Sequence, residues 1–133
     1  MILVDTSVWI DFFAGRDLPQ VATLEQFIHD SQDIALCGII LTEILRGIAN
    51  DTTHRRVRRY LAPLILLPMP EAVFVRAADI YRRLREQGIT IRETNDCIIA
   101  ATALEHRCRL LHNDKDFTPI AGHYSLKVIK PGR

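Results

Sequence analysis

The chain has 133 residues, 48% hydrophobic and 25% charged, which suits a single domain (1–133) with a buried core and excludes intrinsic disorder. Its net charge of +1 hides an asymmetry: ten arginines stand against four acids between Arg46 and Arg92, a basic stretch suited to a polyanion. Asp5 interrupts any apolar leader, and no apolar run approaches the roughly 18 residues of a membrane span, so a cytoplasmic protein with no membrane partner is expected.

In chain order, Met1 to Val4 reads as a short buried strand, and Thr6 or Ser7 is placed to cap a helix through Phe13. Pro19 starts a second helix with Leu24, Phe27 and Ile28 on one face. Ile34 to Cys37 is a second strand. Leu41, Ile44, Leu45 and Ile48 form one helical stripe, and a basic helix follows from Thr53 to Tyr60 with Arg55, Arg56, Arg58 and Arg59. Leu64 to Leu67 is a strand between two prolines. Pro70-Glu71 opens a long helix with Val73, Ala77, Ile80, Tyr81 and Leu84 inward, stopped by Gly88. A helix begins at Thr94 or Asn95 and is apolar on all sides from Cys97 to Leu104, except at Thr102. Arg109 to Leu111 and Leu126 to Ile129 are the last strands, before a tail expected to fray from Lys130 to Arg133. Strands alternating with helices predict an α/β fold, a mostly parallel sheet with helices on both faces. Cys37, Cys97 and Cys108 are odd in number and lie in apolar runs, which predicts buried, reduced thiols.

Acids mark the strand ends and helix starts. Asp5 closes the first strand, Glu43 sits among Leu41 to Gly47, Asp96 opens the apolar helix, and Asp114 and Asp116 follow Leu110-Leu111. A parallel sheet gathers such positions at one edge, where α/β folds bind ligands. Converging carboxylates without matching basic neighbours point to a hard divalent cation and to phosphoryl chemistry. Each acid alone has a plainer reading: a turn at Asp5, a solvated surface residue at Glu43, an N-cap at Asp96, a surface turn at Asp114-Lys115-Asp116. The five histidines are scattered, which argues against a metal-free, histidine-driven ribonuclease.

Asp5-Thr6-Ser7 after an apolar strand, Thr42-Glu43, Thr94-Asn95-Asp96 before Ile98-Ile99-Ala100-Ala101, and Leu110 to Phe117 together resemble the signature of PIN-domain proteins. The Met-Ile-Leu-Val-Asp-Thr-Ser-Val-Trp start is similar to that of VapC toxins of bacterial toxin–antitoxin modules. The resemblance implies a PIN-like three-layer α/β/α fold on a five-stranded parallel sheet, and an endoribonuclease dependent on Mg²⁺ or Mn²⁺. It implies a homodimer neutralised by a VapB-type antitoxin. The family's acids carry onto Asp5, Glu43, Asp96 and Asp114, with Asp5, Asp96 and Asp114 holding the metal and Asp116 as an accessory ligand or a residue of a second metal position. Thr6, Ser7, Asn95 and Arg46 are the candidate substrate contacts. His112 stands where many relatives have Ser or Thr; it is either structural or in touch with substrate. The aromatic cluster Trp9, Phe12 and Phe13 is either core or part of a groove for the antitoxin's tail. Two other functions stay open: a Mg²⁺-dependent phosphatase with Asp5 as nucleophile, and a non-catalytic RNA- or protein-binding module.

Overall fold

The computed structural model describes residues 1–131; Gly132 and Arg133, the end of the tail expected to fray, lie outside the described residues. Among the described residues, four strands, β1 (Ile2–Val4), β2 (Ile34–Cys37), β3 (Ile65–Leu67) and β4 (Arg109–Leu111), form one sheet in the order β3-β2-β1-β4, every pair parallel. All residues of β1 and β2 are buried, as continuous apolar runs must be when a parallel strand is covered on both faces. Ile65 and Leu66 of β3 are exposed, in keeping with an edge.

Seven helices among the described residues connect and follow the strands: α1 (Thr6–Phe13), α2 (Pro19–His29), α3 (Gly38–Arg46), α4 (Asp51–Leu61), α5 (Glu71–Glu86), α6 (Thr94–Glu105) and α7 (Phe117–His123). The chain steps from β1 to β2 to β3 and then returns to the far side of β1 for β4. Right-handed crossovers on such a path put α1 to α4 on one face of the sheet and α5 and α6 on the other. The reversal falls between β1 and β4, so the crevice at their carboxyl ends is the switch point where α/β sheets take ligands. Helix α6 is buried nearly all round, and Trp9, Leu3, Ile40, Ile80 and Ile99 belong to one continuous core. Cys37, Cys97 and Cys108 are buried and free.

Two expectations are corrected. Leu126 to Ile129 is not a fifth strand. It meets β4 at a single bridge, Leu110 with Val128, where Leu110 N donates to Lys127 O (2.8 Å) and Ile129 N donates to Leu110 O (2.9 Å). The next donor in that register is residue 131, a proline with no N–H, so the ladder stops. The cap of α1 is Asp5 rather than Thr6 or Ser7, because Asp5 keeps the extended backbone a cap requires while the other two are already helical. Helix α6 begins at Thr94, as expected, with Glu93 at the cap position and no side-chain cap hydrogen bond. Helix α3 buries Ile40 and Ile44, while Leu41, Leu45 and, beyond the helix end, Ile48 pack half-buried against the core. Helix α7 was not expected: seven residues with Pro119 inside bury only Phe117 and Ile120, too few positions to set a period.

Candidate metal centre

Asp5 leaves the end of β1 with 3% of its surface exposed. Its N–H donates to Leu111 O at 2.9 Å, tying the two strand ends together. Its Oδ2 accepts from Ser7 N (3.0 Å) and Ser7 Oγ (2.6 Å), and Ser7 Oγ in turn accepts from Asn113 N (3.0 Å). Ser7 is thus a joint between the turn after β1 and the loop after β4. Burial pushes the Asp5 carboxyl above its ordinary range, the two Ser7 donors oppose this, and the charges of Glu43 and Asp114 add to it.

Glu43 faces the same crevice. Its Oε1 accepts from Thr6 Oγ1 (2.7 Å), its Oε2 from Asn95 Nδ2 (3.3 Å), and Arg46 Nη2 lies 4.0 Å from Oε2. The solvated-surface reading of Glu43 therefore fails. Helix α3 lies against both α1 and α6, so the side opposite its apolar stripe meets other helices instead of water.

The other acids are less well provided for. Asp96, in the first turn of α6, is 6% exposed, and its Oδ2 is buried with no hydrogen-bond partner. Asp114 Oδ1 accepts from Asp116 N (2.9 Å), and Asp116 Oδ2 accepts from Arg92 Nε (3.1 Å). One oxygen each from Asp96, Asp114 and Asp116 lie within 4.8 Å of one another. At an effective dielectric near 20, each ionised pair within that spacing repels by at least about 3.5 kcal/mol. The Asp96 carboxyl is pushed up to about 8, chiefly by burial, then by the charges of Asp114 and Asp5, a hydrogen bond with Asp114, and the charge of Asp116.

A dry carboxylate oxygen with no donor, beside two more carboxylates, fits a divalent cation taking oxygen ligands. Cys97 does not compete for the ion, since burial pushes its thiol up to about 11 and keeps it protonated. His112 is half-buried against Phe117, and burial lowers its pKa. Its Nδ1 accepts from Asp114 N at 3.1 Å, so the neutral ring carries its proton on Nε2 and shapes the turn that presents Asp114. That is a structural task.

All five acids singled out from the sequence meet at this edge, but the converging set is Asp96, Asp114 and Asp116, with Asp5 beside it. Thr6, Ser7 and Asn95 hydrogen-bond to carboxylates, and Arg46 stands outside with 71% of its side chain exposed. Arg55, Arg56, Arg58 and Arg59 are exposed on α4. Two features were not read from the sequence. One is the Arg92–Asp116 pair. The other is a buried carboxylate, Asp11, which pairs with Arg16 and accepts from Asn113 Nδ2 at 3.5 Å, steadying the loop before Asp114. Both span sequence distances at which no period or motif gives a signal.

Next to the acids, an apolar groove of about 600 Å³ opens between α1, α3 and α4, lined among others by Ile10, Phe12, Phe13, Ile48, Val57 and Tyr60. It reaches Ile44, the neighbour of Glu43. Trp9 is not in its lining. It is fully buried behind Phe12, Phe13 and Tyr60, its rings packed on theirs at centroid distances of 5.6, 5.7 and 6.4 Å.

A sequence profile of the PIN domain matches residues 2–122. Ribonuclease VapC11 of Mycobacterium tuberculosis is 41% identical over 123 residues, covering 91% of this chain and 92% of that protein. FitAcB from Neisseria gonorrhoeae superposes with a TM-score of 0.75 at 26% identity, covering 98% of both chains. A toxin–antitoxin complex from Klebsiella pneumoniae superposes at 0.72 and 26% identity, covering 100% of this chain and 99% of that one.

Proposed function

The chain belongs to the PIN domain family, and we propose that it is a VapC-type toxin, an endoribonuclease that hydrolyses RNA phosphodiester bonds and is silenced by a VapB-like antitoxin. The observation that carries this reading is the unpartnered, buried Asp96 Oδ2 among carboxylates at the switch point of the sheet. Asp96, Asp114 and Asp116 would hold Mg²⁺, or Mn²⁺ in its place, with Asp5 and Glu43 completing the negative set. Bound there, the ion supplies Lewis acidity and a water of lowered pKa. The chain's residues supply position. Ser7 fixes Asp5 at Oδ2, while Thr6 and Asn95 fix Glu43, each of whose oxygens keeps a spare lone pair for orienting a water. Arg46 is placed to meet a phosphate. A phosphatase with Asp5 as nucleophile is less well served, because Asp5 is buried and both Ser7 donors occupy Oδ2.

Incubation of RNA with Mg²⁺, Mn²⁺ or EDTA tests the reading. The wild-type protein should cut with either metal, EDTA should stop it, and Asp96→Asn should be inert. Full cleavage in EDTA, or by Asp96→Asn, overturns it.

For the partner, the groove beside the acids suits the tail of an antitoxin that lays apolar side chains against Phe12, Phe13 and Tyr60 and extends an Arg or Lys among Asp5, Glu43, Asp96 and Asp114. Charge-assisted contacts to several carboxylates in a partly dry cleft are strong. Ile10→Ser, at a partly exposed lining position, should weaken antitoxin binding in calorimetry and spare RNA cleavage. The homodimer and the cytoplasmic setting belong to the same proposal; no helix among the described residues is long and apolar enough to cross a membrane.

A further inference from the structure

Arg92 stands in the turn between α5 and α6 and reaches over to the acids. Its Nε donates to Asp116 Oδ2 at 3.1 Å while 69% of the side chain is exposed, and its two terminal nitrogens meet no partner among the described residues. A guanidinium carries five donors in a planar fork, so four of them face solvent beside the candidate metal centre. Arg46 makes a similar arrangement with Glu43, at 4.0 Å and 71% exposure. Contacts form one line through the site. Arg46 meets Glu43, Glu43 meets Asn95 next to Asp96, Asp96 converges with Asp114 and Asp116, and Asp116 meets Arg92.

Exposed ion pairs of this kind contribute roughly 0–1 kcal/mol, so stability does not account for two of them at one crevice. Charge does. Five carboxylates repel an RNA strand, and a polyanion can cross them only if cations meet its phosphates on either side. We propose that Arg92 contacts a backbone phosphate of the RNA, with Arg46 at the other end of the line, so that one strand crosses the acids between the two arginines. Sequence position gives no hint of this role, because Arg92 lies among the many arginines of the basic stretch. The proposal rests on the ribonuclease reading.

Salt-dependent binding tests it. A short fluorescein-labelled single-stranded RNA of mixed sequence is titrated by anisotropy with Mg²⁺ present, in an Asp5→Asn background that keeps the RNA intact. Adding Arg92→Gln should weaken binding and reduce the slope of log affinity against log salt by about 0.7, as should Arg46→Gln, and both together by about twice that. Arg92→Lys keeps the charge and should keep the slope. In otherwise wild-type protein, Arg92→Gln removes a cation beside Asp116 and should not weaken Mg²⁺ binding read by calorimetry. An unmoved slope overturns the proposal, and an unmoved slope with weakened Mg²⁺ binding reduces Arg92 to a restraint on Asp116. If the wild type cuts RNA and the slope is unmoved, this inference alone falls. If the wild type neither cuts nor binds RNA, the ribonuclease reading falls with it.

Discussion

The crevice has two unlike halves. On the side of α1 and α3, Asp5 and Glu43 receive four donors from Ser7, Thr6 and Asn95, so their positions are fixed by the protein. On the side of α6 and the loop after β4, Asp96 has a buried oxygen with no donor and two acidic neighbours. Burying a carboxylate unpaired is costly, whereas one with hydrogen bonds is tolerated. Acids at one sheet edge therefore have different tasks. The first half is built to hold its shape without a ligand; the second is strained until a cation or a proton arrives.

The widest gap between the halves should show in Asp96→Asn. RNA cleavage should fall by about 1000-fold or more, an effect of about 4 kcal/mol on the barrier, while thermal unfolding of the metal-free protein moves upward because the cost of holding a proton on a buried carboxyl is gone. Asp5→Asn should also abolish cleavage, but its amide oxygen still caps α1, so the melting temperature should hold. A fall in the metal-free melting temperature of Asp96→Asn would erase the distinction.

The pH dependence comes next. The Asp96 carboxyl is raised from 3.8 to about 8 in the folded protein, so between those values the folded state keeps a proton the unfolded chain has released. The contribution of Asp96 to the stability of the metal-free protein should then be full below pH 4, fall as pH rises towards 8, and level off above. Saturating Mg²⁺ should flatten that slope, and Mg²⁺ binding at pH 7 should release protons, read from calorimetry in buffers of different ionisation enthalpy. A metal-free melting temperature that climbs from pH 5 to 8 would contradict the assignment.

In the well-provided half, Thr6→Val removes a donor from half-buried Glu43 and should cost about 1–3 kcal/mol in denaturant unfolding. Asp5→Ala removes the cap of α1 and should cost about 1–2 kcal/mol. The smallest effect is expected at Ser7→Ala, about 1 kcal/mol of stability, with Mg²⁺ affinity reduced several-fold because the joint to Asn113 is lost. Equal costs for Thr6→Val and a matching change at the Asp96 end would mean the halves are not distinct.

Much of this was legible in the sequence. Apolar runs of three or four residues located the strands, and the acids at their ends marked the crevice, because a parallel sheet leaves few other places for them. The rest depended on tertiary contact. The fifth strand failed for want of one N–H at Pro131. Periodicity around Ile44 turned Glu43 away from the apolar stripe but could not tell that α1 and α6 would be waiting there. The pairing of Asp116 with Arg92 joins residues 24 apart through two side chains, which no local pattern encodes.

The pairing of β1 with β4 also sets when the crevice comes into being. Ser7 and Asn113 are 106 residues apart, and the hydrogen bond between them closes nearly the full length of the chain. Such long-range closure is slow and late in folding. During synthesis, Asp5 is made long before Asp114, so a chain still lacking β4 has no assembled acid cluster. A cut behind α6 severs the covalent link from Asp96 to Asp114 and Asp116, and leaves the cluster to the packing of β4 and α7.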